Sequence, residues 1–499
     1  MITDANGLFP TIVFDAADTW DSVLKHAAPE LDHRGLSRLR SVLDPDCRCV
    51  VIERHYIDKD YRDTFSHFHS KRFSTPSSRC LRLHFFSAAV DEARIVKGGT
   101  AVEDLYLGYS VIRPTKPNCI GRSLLSHRVR RNKSAHLAYC TEEVHLLGTR
   151  IRVGGFPFIS QDADATVCAE SALWMLLRYY STKYPWYSEI LPFQITNLAT
   201  HHAVGHRVYP SGGLSTWQLA EALRLQRFSP VVYSRNQYGD FDHLLYTYIE
   251  SGIPLLITVP QHVIVGYGHA SDYTKAKPTG PGFTYTSHFN EAFVVSDDNC
   301  FPYQMLHRGG PKEAGDSKFK CADIEEFIVP LPERVFLPAE QARIAIEIIL
   351  KDPKVGIAAQ APSLAGKDLV LRLFLTSSKS FKRSLAQRSM GADTVEELYR
   401  RLPLPHFIWV CEIAEYSDYA SKREVVGEVI WDATRNAHEP DGWVALHYPE
   451  KLLVDVGAAL NRSQDLMILP LTPKSPIRFS FRTCTHCNPQ KFCRHASRH

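Results

Sequence analysis

Residues 159–180 read ISQDADATVCAESALWMLLRYY, and the interpretation of the rest of the chain depends on this stretch. A polar run of helix-capping residue types comes directly before a segment whose apolar residues recur at helical spacing. This pattern predicts a helix that begins near Cys168. Its predicted apolar face comprises Ala172, Leu173, Leu176 and Leu177. Cys168 lies at the mouth of the helix, where unpaired backbone N–H groups and the helix dipole favour a thiolate.

A lone cysteine in a reduced protein is most often a small core residue, so a catalytic interpretation needs partners. The segment QHVIVGYG places His262 at the start of an apolar strand, and AFVVSDDN places Asp297 and Asp298 at the end of another. If these are neighbouring antiparallel strands, the imidazole and a carboxylate are adjacent. Alternation predicts that the two aspartates face opposite ways, so that one of them, with Asp297 favoured, reaches the histidine. His269 and His288 are the competing histidines.

Gln161 supplies a candidate donor for an oxyanion, together with the backbone N–H of Cys168. The order of Gln, polar run, helix-opening Cys, strand-start His and strand-end Asp resembles the papain-like cysteine peptidase superfamily. This order of residues is most similar to the bacterial double-glycine (C39-type) peptidase-like branch. The segment GGLSTWQLAEALRLQ also resembles that branch. The resemblance covers roughly residues 155–305. It implies Cys168 as nucleophile, His262 as general base, Asp297 or Asp298 as its orienting group and Gln161 as oxyanion donor.

The predicted fold class is α+β. A papain-like core, in which the helix bearing the cysteine packs on an antiparallel sheet, is flanked by N- and C-terminal α/β or α+β domains. A chain of 499 residues is too long for one hydrophobic core. The expected divisions are an N-terminal mixed α/β domain at 1–145, the peptidase-like domain at 146–335, an α/β domain at 336–480 and a basic Cys/His tail at 481–499.

Three local patterns make sharper structural predictions. Ser215 and Gln218 have the spacing of a capping box, which predicts a helix start. Residues 339–351 form a second predicted helix. The segment DYTKAKPTGPGFTYTSHFN, residues 272–290, is interpreted as a loop inserted between the histidine strand and the aspartate strand.

Composition argues against several function classes. The 58 basic and 54 acidic residues leave a formal net charge of +4, which does not indicate a nucleic-acid partner. Twelve scattered cysteines in a long chain are typical of a reduced, intracellular protein and not of a disulfide framework. The sequence shows no secretory signal and no apolar run long enough for a membrane span. We therefore expect a cytoplasmic protein without a membrane partner.

The C-terminal tail contains the only notable pattern of metal-ligand residue types. Its candidate ligands are Cys484, Cys487, Cys493 and His495. The first two have the C-x-x-C spacing of a zinc knuckle, but the interval to the second pair is shorter than the usual finger range. A structural zinc site and a disordered tail are both open interpretations, and a catalytic zinc is not expected.

The sequence therefore predicts a cysteine hydrolase that cleaves a peptide or isopeptide bond through a Cys-His-Asp triad and a thioester. Such chemistry requires no metal or organic cofactor. The substrate would be a polypeptide, with the flanking domains contacting it or a regulatory protein partner. Two alternatives stay open: a cysteine-dependent acyltransferase or transglutaminase-like enzyme, and a non-catalytic papain-like scaffold that binds protein or nucleic acid.

Overall fold

A computed structural model describes most of the chain, and it has the α+β architecture that the sequence predicts. The described residues are 11–13, 20–23, 33–43, 46–115, 119–130, 132, 134–161, 168–200, 214–278, 282–385, 393–422, 424–436, 442–455, 466–471 and 479–480. None of the helices in these ranges is both long and apolar enough to cross a membrane.

The chain divides into two compact units, and each unit is assembled from separate segments. The first unit comprises Met1–Ser234, Pro254–Tyr267 and Phe293–Ile328. The second unit comprises Arg235–Ile253, Gly268–Ala292 and Val329–His499.

The helices are mostly short. They are α1 His33–Leu43, α2 Lys59–His67, α3 Glu92–Lys97, α4 Thr100–Glu103, α5 Cys168–Lys183, α6 Pro192–Thr200, α7 Thr216–Leu225, α8 Phe241–Glu250, α9 Ala339–Lys351, α10 Ile357–Gln360, α11 Ser378–Leu385, α12 Asp393–Arg401 and α13 Tyr416–Lys422. Residues 20–23 are also helical. Short 3-10 helices lie at His69–Lys71, His127–Val129, Thr286–Phe289 and Cys321–Asp323. The predicted helix at 339–351 and the predicted capping box of Ser215 and Gln218 are both confirmed.

The first sheet has seven strands in the order β1-β2-β3-β4-β5-β8-β7, and each neighbouring pair is antiparallel. Its strands are β1 Thr11–Val13, β2 Cys49–Tyr56, β3 Cys80–Phe86, β4 Tyr106–Ile112, β5 Ile120–Ser126, β7 Cys140–Leu146 and β8 Thr149–Phe158. Burial alternates along β7, as expected of a strand with one face in a core.

The second sheet has the order β14-β13-β11-β10-β15-β9, with the short strand β6 pairing with β11. Its strands are β6 His136–Leu137, β9 Phe228–Ser234, β10 Leu255–Val259, β11 His262–Ser271, β13 Asn290–Ser296, β14 Gln304–His307 and β15 Glu326–Pro332. β10 and β11 form an antiparallel hairpin that pairs Val259 with His262. β13 lies beside β11 in this sheet, as the sequence predicts.

The third sheet has the order β12-β16-β17-β19-β20-β21-β22, and β18 pairs with β23 in a separate ribbon. The strands are β12 Thr284–Tyr285, β16 Leu369–Ser377, β17 Phe407–Glu415, β18 Glu424–Val425, β19 Gly427–Asp432, β20 Trp443–His447, β21 Lys451–Asp455, β22 Leu466–Pro470 and β23 Phe479–Ser480. β12 pairs in parallel with β16. The interpretation of residues 272–290 as a plain loop is therefore wrong, because a tertiary partner recruits Thr284 and Tyr285 as a strand.

Helix α5 is buried on all sides and not along one face. All twelve residues from Ala169 to Tyr180 are buried, including Glu170 and Arg178. It contacts β7, β8 and β10 in the first unit. A helix that is buried on every side lies at the centre of a core. Because packing fixes such a helix, its first residue, Cys168, is held in a defined position.

Candidate active site

Cys168 is the first residue of α5, as the sequence predicts. Among the nine cysteines in the described residues, only Cys168 and Cys300 are half-buried, and the others are buried. Residues 162–167, which lie between Gln161 and the helix, are outside the described residues.

The hairpin turn between β10 and β11 places His262 at the first position of its strand. Pro260 and Gln261 form the two-residue connection, and Gln261 has a φ of 59°. Proline followed by a residue with positive φ is typical of a type II turn. The turn delivers His262 to the end of the sheet, where its side chain is only 7% exposed.

The aspartate pair lies in a turn that follows β13. The backbone N–H of Asn299 donates to Asp297 Oδ1 at 2.9 Å, and the N–H of Cys300 donates to the Asp297 carbonyl at 2.9 Å. Tyr267 on β11 holds both ends of this segment. Its hydroxyl accepts hydrogen bonds from Ser296 Oγ at 3.1 Å and from the backbone N–H of Tyr303 at 2.8 Å.

Both aspartates reach His262, which corrects the prediction that alternation would send one of them away. His262 Nε2 donates to Asp297 Oδ1 at 2.8 Å and lies 3.3 Å from Asp298 Oδ1. The strand ends at Ser296, one residue before the pair. Strand alternation therefore does not apply to them, and the turn directs both carboxylates toward the same ring nitrogen.

The histidine is held in its charged form by its neighbours. Burial by itself would lower the pKa of His262, but hydrogen bonds to Asp297 and to the thiol of Cys168 outweigh it. Together with the negative charges of Asp297 and Asp298, these contacts raise the pKa of His262 to about 10.

The two carboxylates differ in their electrostatic state. Burial favours the neutral form of Asp297, but its hydrogen bond to His262 and the charge of that ring hold the pKa below its ordinary value. Asp298 is fully buried, and neither of its oxygens has a hydrogen-bond partner among the described residues. Burial and the charge of Asp297 raise the pKa of Asp298 to about 7, against the opposing effect of the charge of His262.

Gln161 joins this cluster through a residue that the sequence analysis did not single out. The side-chain Nε2 of Gln161 donates to Asn299 Oδ1. Asn299 Nδ2 in turn lies 3.5 Å from His262 Nε2. The structure thus links Gln161, Cys168, His262, Asp297 and Asp298 through one chain of contacts. Asn299 follows directly after the aspartate pair, and this position is the only sequence signal that could have identified it.

Phe319 is a second neighbour that the sequence analysis missed. Its ring is stacked near the His262 imidazole with a centroid distance of 6.2 Å and an interplanar angle of 26°. The exposed Lys318 beside it helps to lower the pKa of Asp297. Phe319 is itself buried, so it is part of the apolar surroundings of the His262 ring. No local pattern marks this residue, because its role depends on a contact between distant parts of the chain.

A buried ion pair secures helix α5 to helix α2. Asp60 Oδ1 accepts hydrogen bonds from Trp174 Nε1 at 3.1 Å and from Arg178 Nη2 at 2.8 Å. Arg178 also pairs with Glu189. Breaking a buried pair by removing one partner costs about 3–5 kcal/mol, so these contacts stabilise the position of the helix that carries Cys168.

The other candidate residues have different surroundings. His269 pairs with Glu250, and His288 Nε2 contacts the carbonyl of Ala276 at 2.9 Å. The tail residues proposed as zinc ligands lie outside the described residues, and they are Cys484, Cys487, Cys493 and His495.

One group of side chains in the described residues has a composition that can bind a metal ion. His262, Asp297 and Asp298 each offer one ligand atom, and these atoms lie within 4.8 Å of one another. A tetrahedral zinc site separates its nitrogen and oxygen ligands by about 3.4 Å, so a small expansion of this group would fit the ion. Such an ion would replace the proton that His262 Nε2 shares with Asp297.

Comparisons with known proteins give no relative for this chain: no family model, no curated protein and no solved structure matches it. The interpretation of the site therefore depends on its geometry and chemistry alone.

Proposed function

We propose that the protein is a cysteine hydrolase with a papain-like core that cleaves a peptide or isopeptide bond. One observation carries the proposal. Cys168, at the start of α5, lies close enough to His262 to help raise the pKa of its imidazole, and the buried carboxylate of Asp297 accepts a hydrogen bond from His262 Nε2 at 2.8 Å. A nucleophile, a base and a group that orients the base are the three parts of a catalytic triad.

The position of Cys168 supports its role as nucleophile. It opens a sixteen-residue helix, and a helix N-terminus favours negative charge. Cys300, the other half-buried thiol, lies near Asp297, and burial together with this negative charge raises its pKa to about 11. Cys168 lies beside a histidine whereas Cys300 lies beside a carboxylate, so the two cysteines have different neighbours.

The reaction proceeds in two balanced steps. The thiolate of Cys168 forms a bond to the substrate carbonyl carbon, and the carbonyl electron pair moves to oxygen, where the side-chain amide of Gln161 donates a hydrogen bond. As this intermediate collapses, the C–N bond breaks and the leaving amine takes the proton of His262. Water then forms a bond to the thioester carbon while His262 accepts its proton, and the C–S bond breaks, which releases the acid and restores the thiolate of Cys168 beside protonated His262.

Activity-based labelling tests the proposal. A peptide aldehyde or vinyl-sulfone probe is incubated with the full chain, and the adduct is located by mass spectrometry. We expect selective labelling of Cys168, its loss in Cys168→Ala, a decrease of about 10²-fold in rate in His262→Ala, and no change in Cys300→Ser. Labelling that moves to Cys300, or that is equal in His262→Ala, would refute the triad.

The acceptor of the acyl group separates hydrolase from acyltransferase. If a primary amine increases product formation and is incorporated into the product, the site transfers its acyl group to amines and the transglutaminase-like alternative is correct. If Cys168 reacts no faster than a free thiol, the chain is better described as a papain-like scaffold.

A metal centre is a second candidate, and the buried oxygens of Asp298 favour it. Two carboxylates and an imidazole are ligands for a divalent cation. Measurement of the metal content of the purified protein and of Asp298→Asn distinguishes the two. A stoichiometric metal that is lost in Asp298→Asn would support a metal centre, and labelling of Cys168 that is unaffected by chelators would support the triad.

A further inference from the structure

We propose that Asn299 is a positioning residue, which orients the oxyanion donor Gln161 beside the general base His262. The inference rests on the proposed hydrolase function and adds a residue to its machinery. It comes from one juxtaposition: the Asn299 side chain accepts a hydrogen bond from the Gln161 amide, and its own amide nitrogen lies 3.5 Å from His262 Nε2.

Three consecutive residues after β13 contact the other residues of the site. Asp297 accepts the hydrogen bond of the His262 ring at 2.8 Å. Asp298 Oδ1 lies 3.3 Å from the same ring nitrogen. Asn299 accepts from the side chain of Gln161. The turn at 297–299 therefore contacts both the base and the oxyanion donor, although Gln161 and Asn299 are 138 positions apart.

The chemistry of the amide explains why this contact affects catalysis. The Nε2 atom of glutamine carries two hydrogens, and Asn299 Oδ1 accepts one of them. The second hydrogen is then available to a developing oxyanion. The terminal torsion of glutamine is broad and poorly defined by itself, so an acceptor at a fixed position restricts it. A donor that is already oriented stabilises the oxyanion without reorganisation during the reaction.

The main chain around Asn299 is anchored independently of its side chain. Its N–H donates to Asp297 Oδ1 at 2.9 Å, and Tyr267 secures Ser296 and Tyr303 on either side. Removal of the Asn299 side chain therefore leaves the contact between Asp297 and His262 in place. This separation allows the effect on Gln161 to be measured apart from the effect on the histidine.

Two reactions of the same thiol provide the test. Iodoacetamide alkylates Cys168 by forming an S–C bond as iodide leaves, and no oxyanion develops. p-Nitrophenyl acetate acylates Cys168 through a tetrahedral oxyanion and releases p-nitrophenolate. The two rate constants are measured on the full chain for wild type, Gln161→Ala, Asn299→Ala, Asn299→Asp and the double variant Gln161→Ala/Asn299→Ala. The reaction of Cys168→Ala is subtracted as background.

We expect Gln161→Ala to slow acylation by about 10²-fold, since one oxyanion donor contributes 10²–10³-fold. Asn299→Ala is expected to slow acylation by roughly 10-fold and alkylation by less than about 3-fold, because the donor remains but is no longer oriented. The double variant is expected to be no slower than Gln161→Ala, as for two residues that act through one interaction. Asn299→Asp retains the acceptor oxygen, so its ratio of acylation to alkylation is expected to stay within about 3-fold of wild type.

Any of the following results would refute the inference. Equal losses of alkylation and acylation in Asn299→Ala would show that Asn299 acts on the imidazole and not on Gln161. Additive losses in the double variant, or a ratio in Asn299→Asp as low as in Asn299→Ala, would show that the acceptor oxygen is irrelevant. If wild-type Cys168 is alkylated no faster than a free thiol, the proposed function fails, and the inference fails with it.

Discussion

Two buried clusters in this protein have similar composition and different chemistry. We call them the thiol cluster and the arginine cluster, and each contains one histidine of strand β11 and two carboxylates. The thiol cluster, in the first unit, comprises Cys168, His262, Asp297 and Asp298. The arginine cluster, in the second unit, comprises His269, Glu250, Arg372 and Glu412.

The arginine cluster holds a permanent cation between two carboxylates. Arg372 Nη1 donates to Glu412 Oε2 at 2.9 Å, and Arg372 also pairs with Glu250. Glu250 Oε2 further accepts from the hydroxyl of Tyr246 at 3.1 Å and lies 2.5 Å from His269 Nε2. Although burial opposes the charge of Arg372, the two glutamates raise its pKa above the ordinary value. An arginine stays charged at all relevant pH values, so this cluster has a structural function.

The thiol cluster has no such permanent cation. Its positive charge is on His262, which must also release and accept a proton in the proposed reaction. The comparison shows that a buried histidine–carboxylate pair does not by itself indicate an active site. The fourth member of the cluster distinguishes the two, because an arginine has a permanent charge whereas a thiol is able to exchange a proton with a neighbouring histidine.

The largest expected effect is on stability and concerns the arginine cluster. Arg372→Met leaves two buried carboxylates without their cation, and breaking a buried pair in this way costs about 3–5 kcal/mol. Chemical denaturation measures the free energy of unfolding. A loss below about 1 kcal/mol would mean that the cluster is not structurally required.

The second-largest expected effect is a difference in the reactivity of Cys168 between variants of His262 and His269. His262→Ala is expected to lower the alkylation rate of Cys168 at pH 6 by about 10²-fold, because an unassisted thiol is almost entirely protonated there. His269→Gln is the matched control from the same strand and is expected to leave the rate unchanged. Similar rates for the two variants would remove the distinction between the clusters.

The raised pKa of Asp298 predicts a pH-dependent stability. Its folded-state pKa of about 7 is above the ordinary value of 3.8, so the folded protein retains a proton that the unfolded chain releases. Wild-type stability should therefore fall as pH rises through this window. Asp298→Asn removes the penalty and should stabilise the protein by on the order of 1–3 kcal/mol at pH 8, with little difference at pH 4.

Denaturation of both proteins across this pH range measures the effect. If wild type is more stable than Asp298→Asn at pH 8, the charge of Asp298 contributes favourably, and the two clusters are more alike than we infer.

The smallest expected effect concerns the pKa of His262. Asp297→Asn removes an opposite charge, which should lower the pKa of His262 by about 1 unit or more from its wild-type value. In wild type the stabilisation from His262 is complete below the ordinary pKa of 6.5 and is lost as pH rises through about 10. Asp297→Asn should lose this stabilisation from His262 at a lower pH than wild type does. An NMR titration of the His262 ring measures the shift, and an unchanged midpoint would mean that Asp297 does not set its charge.

Much of the local structure could be predicted from the sequence. The start of α5 at Cys168, the capping box at Ser215 and Gln218, and the strand that begins at His262 all follow from patterns within a few residues. The neighbouring positions of the His262 strand and the aspartate strand also followed from strand order. These features depend on backbone geometry and on the spacing of apolar residues, which neighbouring residues determine.

The sequence patterns did not reveal the environment of each functional group. Both aspartates face His262 because β13 ends before them, and alternation could not predict where the strand ends. Phe319 is placed against His262 by a contact between segments that are distant in sequence.

The sequence by itself therefore determined which chemically capable residues the chain has and the local elements that carry them. Only the tertiary structure decided which of these residues share a charge, a proton or a hydrogen bond. The physical reason is that helix starts and turns depend on interactions within a few residues, whereas desolvation and charge pairing depend on every segment packed around a group. The two histidines of β11 illustrate this, since the surroundings that each one meets give them different partners and different proposed functions.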